Sequence, residues 1–156
     1  VSLPVAFITL FSFKRLLHWQ LGRCWGRPLL WGLHLSYAFI VLGALLWIAS
    51  EFQLFATDLA LHTLTIGAVL GAILAMIARV SLGHTGRVLT ALPGLNLALL
   101  LIFSAALLRG VGLLVLSSHT LFIYKASLIF SSIAFIWFLS SYTRILWAPR
   151  VDNRPG

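Results

Sequence analysis

Long uncharged runs alternate with short basic bands along this chain. Pro28 to Ser50 holds no Asp, Glu, Lys or Arg, and neither does Leu59 to Ala78. The stretches from about Val88 to Leu108 and from about Ala126 to Tyr142 share that character. An α-helix needs roughly 20 apolar residues to cross a bilayer core. The pattern therefore predicts an all-α fold: a polytopic helical membrane bundle with four full spans over 28–50, 59–78, 88–108 and 126–142. Val1 to Phe13 is too short for a full span and is predicted as a partial N-terminal one, making 1–156 a single transmembrane domain. It lacks the basic start and small-residue cleavage site of a signal peptide. Pro93-Gly94 predicts a kink near the start of the fourth helix of this scheme. The apolar but short stretch Gly110–Tyr124, with Ser117, Ser118 and His119, predicts an interfacial or re-entrant loop. Gly67, Gly71 and Ala75 recur every four residues, a groove that lets another helix approach closely and marks this helix as central.

Composition agrees. Of 156 residues, 61% are hydrophobic and 9% charged. A soluble domain carries about a quarter charged residues, so neither a soluble fold nor disorder fits. The net charge of +8 could suggest nucleic acid. Placement excludes it: the cations lie in bands between spans, not on one face. Lys14, Arg15, Arg23, Arg27, Arg79, Arg87, Arg144, Arg150 and Arg154 fall in one set of alternate segments, and only Arg109 and Lys125 in the other. The positive-inside rule puts the first set in the cytoplasm, with Val1 outside and Gly156 inside. Trp19, Trp25, Trp31, Trp47 and Trp147 fall near predicted span ends, as an aromatic belt would.

Candidate chemistry is narrow. The acids are Glu51, Asp58 and Asp152, too few for paired-carboxylate catalysis or an acidic di-metal centre. Cys24 is the one cysteine, which rules out a disulfide framework and a CxxC site. GxSxG, HExxH and phosphate-loop patterns are absent. Histidine remains: His18, His34, His62, His84 and His119. Histidine inside a span is costly, which singles out His34 and His62. His34 lies about 9 Å in from the cytoplasmic end of its helix and His62 about 5 Å in from the outer end of the next. Across a core about 30 Å thick they stand some 15 Å apart and cannot share one iron. His34 can pair with His84 or His18, and His62 with His119. Met76 lies on the stripe of His62 but four turns away, so the two cannot meet at one metal.

Three segments resemble the NnrS family of bacterial inner-membrane proteins: Arg27-Pro-Leu-Leu-Trp-Gly-Leu-His-Leu-Ser-Tyr37, His62-Thr-Leu-Thr-Ile-Gly-Ala68 continuing through Met76 to Arg79-Val-Ser-Leu-Gly-His-Thr-Gly-Arg87, and Pro149-Arg-Val-Asp-Asn-Arg-Pro-Gly156. The resemblance covers the chain from about Gly26 onward and corresponds to the C-terminal portion of the family. It implies a larger multi-span protein carrying b-type haem and copper and serving in denitrification and nitric oxide resistance. His34, His62 and His84 match motif histidines and would supply metal ligands. Arg79 and Arg87 match motif arginines and would meet haem propionates or anchor the cytoplasmic face. Tyr37 matches an aromatic position one turn from His34. The expected partners are the lipid bilayer, a missing N-terminal half or a second copy, and no nucleic acid. The competing expectations are a transporter or channel module, suggested by the kink, the re-entrant loop and the Gly67-x-x-x-Gly71 helix, and an inactive fragment, suggested by the abrupt start at Val1.

Overall fold

The computed structural model describes residues 2–18, 24 and 26–152. Trp19, Trp25, Arg23 and Arg154 lie outside the described residues.

Five long helices follow in order. α1 runs Ser2–His18, α2 Pro28–Glu51, α3 Thr57–His84, α4 Leu95–Val115 and α5 Thr120–Trp147. A single turn of 3₁₀ helix, Ser117–His119, leads into α5. No strand occurs among the described residues. The four helices after α1 are long and apolar enough to cross a membrane, and the chain is a multi-pass membrane protein.

The ends have local causes. Pro28 fixes the first helical φ of α2 and forces Arg27 before it into an extended conformation. Gly94 adopts φ +90° and begins α4. Pro93-Gly94 is therefore a helix start, not a kink, and Val88–Leu92 is not helical. α3 is longer than predicted: it runs through Arg79 to His84 before turning at Gly86, whose φ is +69°. Ala148, ahead of Pro149, is extended and ends α5.

The predicted re-entrant loop is absent. Gly110–Val115 continues α4, and α5 begins at Thr120, so Arg109 and Lys125 are helical rather than loop residues. The uncharged-run criterion ended both spans too early, because it treats every charge as a boundary. Arg109 escapes that rule by laying its guanidinium 4.4 Å over the Tyr124 ring.

Short connections make successive helices antiparallel. At one end the beginning of α2 meets the Leu89–Asn96 segment around one cavity, and Arg87 donates to the Ile145 carbonyl at 3.3 Å. This is the basic end. At the opposite end His62, Arg109 and Tyr124 gather.

Two stretches are π-helical, Thr63–Leu70 in α3 and Leu108–Gly112 in α4. Threonine explains the first. The hydroxyls of Thr63 and Thr65 donate to the carbonyls of Leu59 and Leu61 at 2.7 and 2.8 Å. Those carbonyls are the ordinary partners of the i+4 amides, so the hydroxyls favour a widened turn.

The interior mixes large side chains such as Leu99, Ile102 and Phe103 with many alanines. Ala60, Ala75, Ala78, Ala98, Ala105, Ala106 and Ala134 are wholly buried, whereas Leu3, Phe7, Leu100, Phe122 and Ile136 face outward. Apolar side chains gain little by leaving lipid for protein, so close backbone approach and van der Waals fit hold the helices together. The groove read from the sequence is real. Gly67 lies directly under the Phe39 ring, Gly71 packs on Phe103 and Ser36, and Ala75 sits beside Gly32. Phe39 and Phe103 stack with centroids 5.3 Å apart, filling the space between α2, α3 and α4.

Candidate functional site

At the basic end, one turn brings a thiol to an imidazole. The Arg27 amide donates to the Cys24 carbonyl at 2.9 Å, folding Cys24 back against the start of α2. Its Sγ then lies 3.9 Å from His34 Nε2. His34 Nδ1 is 2.8 Å from the Leu30 carbonyl one turn earlier. A carbonyl can only accept, so Nδ1 carries the proton and Nε2 holds the lone pair that faces the thiol. That backbone anchor also fixes the ring, as in many metal-ligating histidines.

The same anchor recurs. His18 donates from Nδ1 to the Lys14 carbonyl at 2.9 Å, and His62 to the Asp58 carbonyl at 2.7 Å. Arg15 lies 5.9 Å over the Tyr37 ring. In the antiparallel pair α1–α2 that register sets His18 level with His34.

A metal held by one thiolate and one imidazole has bonds of about 2.3 and 2.0 Å, which puts the two donors roughly 3.5 to 4.3 Å apart between tetrahedral and linear geometry. The observed 3.9 Å falls inside that range. Cys24 and His34 therefore fit the two ends of a soft-metal bridge. No group of three His, Cys, Asp or Glu side chains forms among the described residues.

The other predicted residues separate. His84 is exposed on the last turn of α3 and makes no side-chain hydrogen bond among the described residues. Arg87 ties its turn to α5 through Ile145. Arg79 is exposed and lines a cavity of about 730 Å³ together with Arg27, Asn96 and Leu30. Asn96 Oδ1 accepts from Trp31 Nε1 at 3.2 Å.

His62 belongs to the opposite end. Its ring lies 6.5 Å from Tyr124, whose face Arg109 covers. A lone imidazole one ring away from a guanidinium is a poor cation site, because the like charge opposes binding. His119 sits on the 3₁₀ turn, its Nδ1 2.9 Å from the Ser118 hydroxyl. His34 and His62 stand at opposite ends, so they form no common centre.

The two cavities carry no haem-ligating side chain. A second cavity of about 660 Å³ lies between α4 and α5 and is lined by Ser104, Leu108, Phe122 and Phe130 among others. Neither cavity is lined by His, Cys or Met, so neither offers an axial ligand to haem iron.

Sequence reasoning missed Cys24 as a partner of His34, read Arg27 and Arg109 only as topology-setting cations, and passed over Asn96 and Tyr124. Position alone held one usable signal: Cys24 precedes Pro28 by a single turn's length, so it must lie near the start of α2.

A family model described as NnrS protein matches residues 2–150. Comparison with curated proteins and with solved structures gave no match.

Proposed function

Since the chain belongs to the NnrS family, we propose that it serves the bacterial nitric oxide response as an inner-membrane protein that carries copper on Cys24 and His34. The observation that carries this reading is the thiol–imidazole separation of 3.9 Å with His34 already anchored through Nδ1. Thiolate and imidazole together suit a soft or borderline ion such as copper better than a hard one. Binding would release the Cys24 thiol proton and leave His34 neutral, in the tautomer the Leu30 carbonyl already selects. Copper, when bound, would supply a redox-active centre able to coordinate nitric oxide. Trp31 and Leu29, buried on α2, hold the helix turn that presents His34. The remaining coordination positions would belong to water, to residues outside those described or to a partner chain.

Orientation is part of the proposal. Arg27, Arg79, Arg87, Arg144 and Arg150 lie toward the basic end, which the positive-inside rule assigns to the cytoplasm. A transporter or channel reading loses the kink and the re-entrant loop and keeps only the Gly67–Gly71–Ala75 groove, which is filled by Phe39, Phe103 and Gly32 as helix packing.

The test is anaerobic copper loading of the full chain in detergent, followed by metal analysis and nitric oxide titration by absorption spectroscopy. Near-stoichiometric copper should drop in both Cys24→Ser and His34→Ala and persist in His62→Ala. Retention in Cys24→Ser and His34→Ala alike would overturn the assignment.

A further inference from the structure

Two exposed arginines line the cavity at the basic end without an acid beside them. Arg27 and Arg79 line it, and no Asp or Glu does. The only salt bridge among the described residues is Arg150–Asp152, elsewhere at that end.

Two helix starts open on the same space. Arg27, Pro28 and Leu29 belong to the beginning of α2, and Pro93, Gly94 and Asn96 to the beginning of α4. Neither start has a side-chain cap or an acid in its first turn. Each helix end carries a partial positive charge of roughly half a unit from its unpaired amides. Asn96 adds directed donors: its Oδ1 is committed to Trp31, so its NH₂ remains for an acceptor. The rest of the lining is largely apolar and includes Leu30, Leu89, Leu92 and Pro93.

A site with two cations, two helix starts and amide donors wants a multiply bonding anion. An apolar wall at the end of the spans suits an anion that carries a hydrocarbon tail. We propose that this cavity binds a phosphate group, and that the phosphate is brought by the headgroup of an anionic phospholipid. Cys24 and His34 do not line it, although Arg27 and Leu30, which hold that pair through their backbone, do.

The full chain would be reconstituted in nanodiscs of phosphatidylcholine containing one-fifth phosphatidylglycerol, then exchanged into detergent and assayed for retained lipid by mass spectrometry. Wild type should retain phosphatidylglycerol over phosphatidylcholine. Arg27→Gln and Arg79→Gln should each lower that preference about tenfold. Arg144→Gln, an equal charge loss outside the cavity, should leave it unchanged. A preference lowered equally by Arg144→Gln would reduce the effect to bulk charge and overturn the site, and so would retention untouched by Arg27→Gln and Arg79→Gln. Inorganic phosphate is titrated in parallel against lipid-stripped protein, read by thermal unfolding. Stabilisation by phosphate that vanishes in Arg79→Gln, without lipid preference, would overturn the lipid source and leave the phosphate site. Should Arg79→Gln fail to fold, Arg79→Lys keeps the charge and tests the forked contact, since one ammonium cannot bond a phosphate bidentately.

Discussion

Adding one methyl group at Gly67 tests how the bundle is held. A Cβ there would run into the Phe39 ring. Phe39 is 4% exposed and stacks on Phe103, itself 3% exposed, so the ring has nowhere to retreat. Overpacking of this kind costs about 1–3 kcal/mol. Breaking the Phe39–Phe103 stack adds about 0.5–1.5 kcal/mol. Replacing glycine by alanine within a helix returns up to about 1 kcal/mol. Gly67→Ala should therefore destabilise the fold by about 2 kcal/mol. Gly83→Ala is the control, because a Cβ at Gly83 meets nothing within 4 Å. It should be neutral or slightly stabilising. Phe39→Leu makes room, so Gly67→Ala should cost less in that background, with a coupling of about 1–2 kcal/mol. The assay is reversible unfolding in mixed micelles with increasing sodium dodecyl sulfate, followed by far-ultraviolet circular dichroism. Equal stability of Gly67→Ala and Gly83→Ala, or strict additivity with Phe39→Leu, would refute close approach of α2 and α3 as a source of stability.

Three further outcomes are expected. Ser127→Ala removes the buried hydroxyl that donates to the Ala105 carbonyl at 3.0 Å between α5 and α4; it should cost about 0.6 kcal/mol and at most about 1.7 in the same unfolding assay, and a larger loss would mean Ser127 does more than this bond. Cys24, the only cysteine, should react with a membrane-impermeant maleimide only after the inner membrane is opened; labelling of intact spheroplasts would reverse the proposed orientation. The Asp152 carboxylate holds the Arg150 guanidinium above the ordinary arginine value through their hydrogen bonds. While the Asp152 carboxylate stays ionised, a cation raised in this way contributes fully below its unfolded value and loses that contribution only as pH climbs through the folded one. Arg150 should therefore impose no break between roughly pH 6 and 10 on exchange of the Val151 amide, which donates to Thr85; a break there that Arg150→Gln abolishes would contradict this account.

The helices were legible where charge-free runs set them apart, because burying an ion in lipid is expensive and the chain avoids it. They were misplaced where a charge finds a local partner. Arg109 sits on Tyr124, fifteen positions along the chain and on another helix, and no periodicity announces that contact. α3 was underestimated for a similar reason: Arg79 opens onto the basic-end cavity while the helix continues beneath it to His84. The Gly67–Gly71–Ala75 groove was visible because it is written at a fixed spacing on one helix. The Cys24–His34 approach was not, since it depends on the turn ahead of Pro28 rather than on a spacing. His84, conspicuous among glycines, marks a helix end, while Asn96, inconspicuous among leucines, carries the Trp31 indole.

The buried alanines have a consequence for how this sequence can drift. In a water-soluble protein the large apolar residues are the demanding ones and the surface is permissive. Here the outward Leu100, Phe122 and Ile136 can exchange among aliphatic and aromatic types with little effect, because lipid conforms to any of them. Ala98, Ala105 and Ala106 admit almost nothing larger, having no exposed surface at all. Much of the specification of the bundle is thus written in its smallest letters, beside buried large residues such as Leu99 and Ile102, and a substitution matrix tuned to soluble proteins would misjudge the tolerance of the alanine and lipid-facing positions.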